Sequence, residues 1–446
     1  MPQDDTIAAI ATPPGSGGIA VARLSGPDSW VIAERLLPPA RLPLAAHSPG
    51  TFFHTSVRHP VTREKLDDAI VLLFRAPKSY TGEDVVEFQG HGGGMQSSRL
   101  LDALLAAGAR LANPGEFTQR AFLNGRIDLT QAEAVCDLIQ SRSESAARLA
   151  RAQLDGSLGS EFNALYDALV AVAADVEHVL DFDEGELPDS LLPGLAARLE
   201  TSIAGIDRLA ATRREGQLLR DGALVVICGE PNVGKSSLMN ALLRQNRAIV
   251  NARPGTTRDA IEETCVIGGV PVRLADTAGL RETDDEIERE GIERARKLIA
   301  AADLTLELRE AGTPQPCADT DGRTIRVLTK IDLCPAAAAN ITDGEVAVSA
   351  HTGAGLDELK RRMLRQLGVL DASPSATAVS ARHAEELATA RAAAVEALGQ
   401  VRSGPDGLVL AAMRLRLACE ALGRVTGREY SEDLLDRVFS KFCVGK

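Results

Sequence analysis

The chain has 446 residues, of which 45% are hydrophobic and 25% charged, and its formal net charge is −13. This length predicts more than one domain, because a single core rarely grows beyond about 250–300 residues. The acidic balance excludes a general nucleic-acid coat, so any RNA contact must be local. The seven cysteines are scattered without a C-x-x-C pair, and no apolar run reaches the length of a membrane span. These features predict a cytoplasmic protein.

The first 117 residues alternate between strand-like and helix-like segments. Strands are predicted at 19–24, 69–74 and 85–88, where apolar and β-branched residues dominate, and a helix is predicted over 100–107. This mixture predicts an α+β domain.

From residue 118 to 218 the pattern becomes helical. Leu154, Leu158, Phe162 and the apolar residues that follow as far as Val179 recur every three or four positions, which predicts one apolar helical stripe. The acidic run at 181–186 is better explained as a solvated helix end than as a metal site. Helical sequence resumes over 380–421, so the simplest arrangement is an all-α domain interrupted by another module.

The interrupting module carries a phosphate-binding loop. Residues 229–236 read G-E-P-N-V-G-K-S, preceded by the apolar run 223–228 and followed by a helical pattern. In such a strand–loop–helix unit the main-chain N–H groups bind a polyphosphate, Lys235 reaches the β- and γ-phosphates, and Ser236 holds Mg²⁺.

Motifs later in the chain indicate specificity for guanine nucleotides. Asp276 to Gly279 reads D-T-A-G, where the Asp approaches Mg²⁺ and the Gly meets the γ-phosphate, and a threonine-bearing switch precedes it at 255–259. Thr329-Lys330-Ile331-Asp332 matches the base-reading motif, in which the Asp carboxylate accepts from guanine. Ser349 and Ala350 supply the last base-binding loop. Four elements in this order predict a Ras-like α/β GTPase domain.

Two departures from the usual GTPase pattern stand out. Thr329 occupies a position that is more usually Asn, which predicts weaker guanine affinity with specificity retained by Asp332. Leu280 replaces the Gln that orients water in Ras-like enzymes, so hydrolysis needs another source of charge stabilisation. A monovalent cation bound through the Asn232 amide oxygen is one solution.

Further motifs cover essentially the whole chain. They are Asp5-Thr6-Ile7, 11–15 (A-T-P-P-G), 80–84 (Y-T-G-E-D), 114–118 (P-G-E-F-T), 120–126 (R-A-F-L-N-G-R) and the terminal 442–446 (F-C-V-G-K). In these motifs the chain resembles the MnmE (TrmE) family of tRNA modification GTPases.

The resemblance implies a fold and an activity. Residues 1–117 are expected to form a tetrahydrofolate-binding and dimerisation domain, 118–218 and 374–446 a helical domain in two parts, and 219–373 the inserted G domain. The family works as a homodimer with the flavoprotein MnmG. Together they add an aminomethyl or carboxymethylaminomethyl group to C5 of the tRNA wobble uridine, with a methylene- or formyl-tetrahydrofolate bound as the one-carbon source.

The resemblance also assigns residues by position. Arg23, Glu87, Arg126 and Lys446 are expected to line the folate pocket, and Cys443 to take part in the modification. K⁺ is assigned to Asn232 with Asn251, Arg253 and Thr256, and drives pairing of G domains. Mg²⁺ is assigned to Ser236 and Thr257, and water orientation to Glu288. The expected GTP-binding residues are Gly229, Asn232, Val233, Gly234, Lys235, Ser236, Ser237, Asn251, Thr256, Thr257, Asp276, Thr277, Ala278, Gly279, Thr329, Lys330, Asp332, Ser349 and Ala350.

Two other functions are compatible with parts of the sequence. A ribosome-assembly GTPase shares the G motifs, but it is expected to carry an appended RNA module or a second G domain, and neither is evident. A folate-binding module without catalysis is disfavoured by the intact Lys235, Ser236, Thr257 and Asp276.

Overall fold

The structure is a computed structural model that describes residues 5–39, 43–48, 50–180, 190–245, 262–276, 296–312, 322–334, 345–369 and 376–446. It divides into two compact units. The first unit comprises Met1–Cys136 and Gly423–Lys446, and the second comprises Asp137–Leu422. Within the described ranges no helix is both long and apolar enough to cross a membrane. The acidic run at 181–186 lies outside the described residues.

A six-stranded mixed sheet forms the centre of the first unit. Its strands lie in the order β3-β4-β5-β2-β1-β6, with β1 and β6 parallel and the other neighbours antiparallel. The three predicted strands are confirmed as β2, β4 and β5. The strand bounds are β1 Ile7–Ile10, β2 Ile19–Ser25, β3 Phe52–Arg58, β4 Lys65–Phe74, β5 Val85–His91 and β6 Arg110–Leu111.

Helices cover one face of this sheet. Leu24, Val71 and Phe88 lie on that face and pack with helices α1 (Ser29–Arg35) and α2 (Gly94–Ala106). Because side chains alternate along a strand, Arg23 and Glu87 fall on the opposite face.

A smaller core joins the two ends of the chain within the first unit. Phe122 of α3 (Glu116–Leu123) and Leu129 of α4 (Leu129–Gln140) pack with Val438 and Phe439 of the C-terminal helix α13 (Glu432–Phe439) and with Phe442. The C-terminal motif is therefore part of the same folded unit as the N-terminal sheet.

The helices of the second unit confirm the predicted apolar stripe, with one interruption. Leu158, Phe162 and the later stripe residues to Val179 are buried along a single helix, α6. Leu154 is instead the last residue of the preceding helix, Glu144–Leu154, because the backbone at Gly156 has a φ of 96° and changes direction there. The helices are α5 Glu144–Leu154, α6 Ser157–Leu180, α7 Leu191–Ala211 and α8 Arg213–Asp221 before the module, and α11 Ala381–Ser403 and α12 Leu408–Thr426 after it. The α11 helix packs on α7, so the two helical segments lie together.

The module itself is built on a second six-stranded sheet, in the order β12-β11-β10-β7-β9-β8. All its neighbouring strands pair in parallel except β8, which is antiparallel to β9. The bounds are β7 Ala223–Gly229, β8 Glu262–Ile267, β9 Val270–Asp276, β10 Leu304–Glu310, β11 Thr324–Thr329 and β12 Glu345–Ala347, with helices α9 Lys235–Gln245 and α10 Leu356–Leu367. Parallel strands place their carboxyl ends at one edge, which is where ligands of such sheets bind.

Candidate functional site

The phosphate-binding loop follows the central strand β7. Gly229 begins the loop with a φ of 145°, and a Cβ at this position would lie 2.5 Å from the Leu308 carbonyl oxygen of the neighbouring strand. Only glycine fits this close approach. Asn232 is exposed and has a left-handed backbone with a φ of 63°. The α9 helix then starts at Lys235, so its N-terminus follows the loop directly.

Lys235 and Ser236 are held in positions suited to a nucleoside triphosphate. The Lys235 ammonium donates to the carbonyl oxygens of Gly229 at 3.0 Å and Glu230 at 2.8 Å. The Ser236 hydroxyl donates to Asp276 Oδ2 at 3.0 Å, which brings the ends of α9 and β9 together. Hydroxyl and carboxylate oxygens are the ligands that Mg²⁺ prefers, so this pair fits the expected metal.

Thr329 connects the base-reading motif to the phosphate loop. Its hydroxyl, which is buried, contacts the Val233 carbonyl oxygen at 2.6 Å and the Arg309 carbonyl oxygen at 3.1 Å. These contacts were not predicted from the sequence. The shorter side chain thus still braces the pocket, through main-chain acceptors. Lys330 follows with a φ of 59° and pairs with Glu310 at 2.8 Å.

Asp332 is oriented by Ser349, in the loop that is expected to bind the base. A hydrogen bond from Ser349 lowers the pKa of the Asp332 carboxyl, which keeps it an acceptor. Ser349 is fully buried, and its Oγ also accepts from the Thr352 N–H at 3.1 Å. A fixed, ionised carboxylate at this edge suits the paired N–H donors of guanine.

Several expected nucleotide and metal residues lie outside the described residues. They are Asn251, Arg253, Thr256, Thr257, Thr277, Ala278, Gly279 and Glu288. Among the others, the structure brings Gly229, Val233, Gly234, Lys235, Ser236, Asp276, Thr329 and Asp332 to the carboxyl edge of one sheet, together with the exposed Ser237 and the loop of Ser349 and Ala350.

A second site lies on the face of the first unit's sheet that is opposite α1 and α2. Arg23 on β2 and Glu87 on β5 are directly opposite in the strand register, and Arg23 Nε donates to Glu87 Oε1 at 2.7 Å. Their side chains are only 18% and 15% exposed. Within the described residues this is the one hydrogen bond of the Arg23 side chain, so its two terminal nitrogens remain available to a ligand.

Two aromatic rings flank this ion pair, and neither was predicted from the sequence to have a role. The Arg23 guanidinium carbon lies 5.9 Å from the centroid of Tyr80 and 5.6 Å from that of Phe117, within cation–π range. The Tyr80 hydroxyl bonds to Thr118 Oγ1 at 2.9 Å, and burial raises the pKa of that phenol. Both aromatic residues belong to motifs that the chain shares with the family. Those motifs were the sequence signal that could have indicated their role.

Arg126 and the C-terminus lie on segments next to this face. The Arg126 stem packs over Gly82, two residues from Tyr80: a Cβ built on Gly82 would lie 3.3 Å from Arg126 Cγ. Gly445 lies against the Ile10 carbonyl oxygen at the end of β1, which brings Lys446 to the same sheet. Cys443 is exposed, and its carbonyl accepts from the Gly115 N–H at 3.3 Å.

A buried charge network holds the loop that contains Tyr80. Arg120, 4% exposed, pairs with Asp5 at 2.7 Å, Glu83 at 3.2 Å and Glu116 at 3.4 Å. Glu116 is itself buried and pairs with Arg110. Removing one member would leave buried charge unpaired, so the network fixes the position of the loop.

Comparison with known proteins identifies the family of this chain. A family model described as the MnmE helical domain matches residues 129–443, and one described as the GTP-binding protein TrmE N-terminus matches residues 6–126. The tRNA modification GTPase MnmE of Symbiobacterium thermophilum is 44% identical over 458 residues, covering 99% of this chain and 100% of its own length. The chain belongs to the MnmE family of tRNA modification GTPases.

Another MnmE, from Moorella thermoacetica, is 45% identical over 469 residues, covering 99% of this chain and 100% of its own. Among solved structures, the G domain of the T. maritima FeoB iron transporter is 26% identical, covers 32% of this chain and 98% of its own, and has a TM-score of 0.24. As a MnmE family member, the chain is a GTP-binding enzyme of multidomain architecture.

Proposed function

We propose that this protein hydrolyses GTP to support modification of the wobble uridine of certain tRNAs in the cytoplasm. With the flavoprotein MnmG it adds an aminomethyl or carboxymethylaminomethyl group at C5, and a folate derivative supplies the carbon. The observation that carries this proposal is the Arg23–Glu87 pair on the sheet face opposite α1 and α2, in a chain that also holds a complete phosphate-binding loop.

The Arg23 site has the chemistry that a reduced pterin requires. A pterin is flat and presents both N–H donors and a carbonyl acceptor along one edge. The free Glu87 oxygen accepts from such donors, and the terminal nitrogens of Arg23 donate to the carbonyl. Tyr80 and Phe117 supply apolar surface beside them. Arg126 and Lys446 add positive charge for the glutamate tail.

Cys443 lies on the same C-terminal segment as Lys446. The main chain of that segment bridges Pro114 to Val444, and Phe442 is buried in the core beside α13. The exposed Cys443 therefore sits at a fixed point of the first unit, and we assign it to the modification step.

The nucleotide site is proposed to use Mg²⁺ and K⁺. Ser236, whose hydroxyl donates to Asp276, is the proposed Mg²⁺ ligand, and Thr257 is the proposed second protein ligand. Asn232 is the proposed K⁺ ligand, because its exposed side chain stands on a left-handed turn of the phosphate loop. The main chain of Asn251, Arg253 and Thr256 completes the K⁺ site. A bound cation of this kind supplies positive charge at the transferred phosphoryl group and a contact between the paired G domains of a homodimer.

The test of the whole proposal is a reconstituted modification assay. Undermodified tRNA is incubated with this protein, a MnmG flavoprotein, GTP, NADH, methylene-tetrahydrofolate and an amine donor, and nucleosides are analysed by mass spectrometry. We expect a modified wobble uridine in K⁺ buffer, with far less in Na⁺ buffer of equal ionic strength. Glu87→Gln should block modification while sparing GTP hydrolysis.

Two further variants separate the parts of the proposal. Asn232→Ala should remove the K⁺ stimulation of GTP hydrolysis, and Glu288→Ala should abolish hydrolysis while sparing GTP binding. Equal hydrolysis rates in the two salts would refute the K⁺ assignment, and unmodified tRNA in the complete reaction would refute the proposed chemistry.

A further inference from the structure

The chain connects the G-domain sheet to the helices of the second unit through two segments. Helix α8 leads directly into β7, and residues 376–380 lead from the module into α11. We call 376–380 the return segment. These two segments are adjacent in space although about 160 residues separate them in the chain, as the hydrogen bond between Arg220 and Ala378 shows.

Polar side chains hold the main chain of the return segment. The Ala378 carbonyl oxygen accepts from Gln153 Nε2 at 2.8 Å and from Arg220 Nη2 at 3.0 Å. The Val379 N–H donates to Thr212 Oγ1 at 3.1 Å. Ala378 and Val379 are fully buried, so each of these bonds satisfies a main-chain group that has no access to water.

Arg220 is itself fixed from two sides. Its Nε donates to Asp137 Oδ2 at 2.6 Å, and its Nη2 donates to Gln153 Oε1 at 3.0 Å. Its side chain is 14% exposed, so the charge-assisted bond to Asp137 is largely screened from water. Gln153 thus accepts from Arg220 and donates to the same carbonyl that Arg220 binds. Gln153, Thr212 and Arg220 form what we call the linker cluster.

The fit around this cluster leaves no room for an added methyl group. A Cβ at Gly216, one turn before Arg220 on α8, would lie 2.3 Å from the Val379 carbonyl oxygen and 2.7 Å from Arg220 Nη1. The first of these atoms belongs to the main chain and cannot move alone. The return segment therefore lies directly on the surface of α8.

The same helices also contribute to the core of the G domain. Leu149 of α5 and Leu218 and Leu219 of α8 are buried with the strands of the module in one apolar cluster. At the other end of α5, Ser145 touches the turn between β8 and β9: a Cβ at Gly269 would lie 2.3 Å from its Oγ. β8 begins at Glu262, shortly after the switch threonines in the chain.

We propose that the linker cluster couples the nucleotide state of the G domain to the helices of the second unit. Gln153, Thr212 and Arg220 are positioning residues, which act by holding the return segment on α8. When the linker cluster holds the return segment on α8, a displacement of β8 or β9 also displaces α5, α8 and α11. When the cluster is broken, the return segment can move separately from α8, and α11 keeps its position. This inference goes beyond the proposed function, because it concerns neither folate nor K⁺.

Hydrogen exchange on the full-length protein tests the coupling. Peptides from α5, 376–380 and α11 are compared with GDP bound and with a non-hydrolysable GTP analogue bound, and GTP hydrolysis is measured in parallel. The wild type should show a nucleotide-dependent difference in all three segments. Gly216→Ala should raise exchange at 376–380 by about 5-fold or more, and should remove the difference in α11. Its hydrolysis rate should stay within about 2-fold of the wild type, since no residue of the nucleotide site changes.

A matched control and two milder variants accompany this test. Gly194→Ala makes the same chemical change on α7, where a Cβ would have no neighbour within 4 Å, and should behave as the wild type. Gln153→Leu and Thr212→Val remove the hydrogen bonds of one side chain each at nearly constant volume, and should show the same uncoupling if Gly216→Ala fails to fold. An unchanged nucleotide response in α11 of these variants overturns the proposal. So does a parallel loss of hydrolysis, which would show that the cluster only maintains the G domain.

Discussion

The Thr329 hydroxyl lies 2.6 Å from the Val233 carbonyl oxygen, so the end of β11 is tied to the phosphate-binding loop. Both groups are buried, and the hydroxyl is the only polar atom of this side chain. The motif expected to read the base is therefore connected directly to the phosphate-binding loop.

Replacing Thr329 by Val keeps the shape of the side chain and removes the hydrogen bond. We expect GDP to bind about 5- to 30-fold more weakly, since an unpaired buried carbonyl costs about 1–2 kcal/mol. Titration with a fluorescent GDP analogue measures the Kd. Thr329→Asn should bind GDP more tightly than the wild type, and equal affinity in the wild type and the Asn variant would count against a weakened base pocket.

Guanine specificity should reside in Asp332. In Asp332→Asn an amide N–H replaces one carboxylate acceptor, which suits the 2-oxo group of xanthine rather than the 2-amino group of guanine. We expect preference to change from GTP towards XTP by about 100-fold or more. Competition binding with the two nucleotides measures this ratio.

Ser349→Ala serves as the control for that change, because it removes the hydroxyl that orients Asp332 without altering the acceptor itself. This variant should bind GTP more weakly and keep the preference for guanine. An Asn variant that still favours GTP would show that another residue reads the base.

Folate binding should depend on Glu87. Glu87→Gln removes the negative partner of Arg23 and one acceptor for the ligand, so the affinity for 5-formyl-tetrahydrofolate should fall by about 10-fold or more. Calorimetric titration of the full-length protein provides the Kd. Glu64→Gln is the matched control, because Glu64 also pairs with an arginine of the first unit but is 61% exposed. Similar affinities for the two variants would place the ligand elsewhere.

The stability of the first unit should decrease as the pH rises above neutrality. A hydrogen bond to Asp67, 2.7 Å away, raises the pKa of His91 above its ordinary value of 6.5. The folded state therefore binds this proton more tightly than the unfolded state. The contribution to stability is complete below pH 6.5 and is lost as the pH rises through the raised pKa.

Trp30 makes this contribution measurable, because it is the single tryptophan of the chain and lies in the first unit with His91. The urea midpoint of its fluorescence transition should fall between about pH 6 and pH 8 in the wild type, and this component should disappear in His91→Gln. His351→Gln, in the second unit, should show the same dependence of the urea midpoint on pH as the wild type. If the midpoint of His91→Gln still falls between these pH values, the pH dependence belongs to another group.

The parts of the structure that were predictable are those with local sequence signals. Strand β7, the phosphate-binding loop and α9 follow from one motif with its flanking apolar residues, and the buried positions of α6 follow from their helical spacing. The break at Gly156 escaped prediction, because the apolar period continues across it from Leu154 to Leu158.

Contacts between distant residues could not be read in the same way. Gln153 and Arg220 meet at the carbonyl group of Ala378, and a main-chain acceptor carries no side-chain signature. Arg23 and Glu87 were assigned to one pocket by family resemblance, but their strand register and the ring of Phe117 required the structure. The physical reason is that long-range pairing depends on how elements pack, which local sequence does not encode.

The core formed by Phe122, Leu129 and the C-terminal Phe439 and Phe442 has a consequence for biosynthesis. A ribosome releases α3 and α4 long before it makes α13, their partner in this core. At about 5–20 residues per second, the intervening residues take roughly 15 to 60 s to synthesise. Through that interval the growing polypeptide exposes apolar surface of α3 and α4 that only α13 and Phe442 cover. Although its first half is made early, this core is completed late in synthesis.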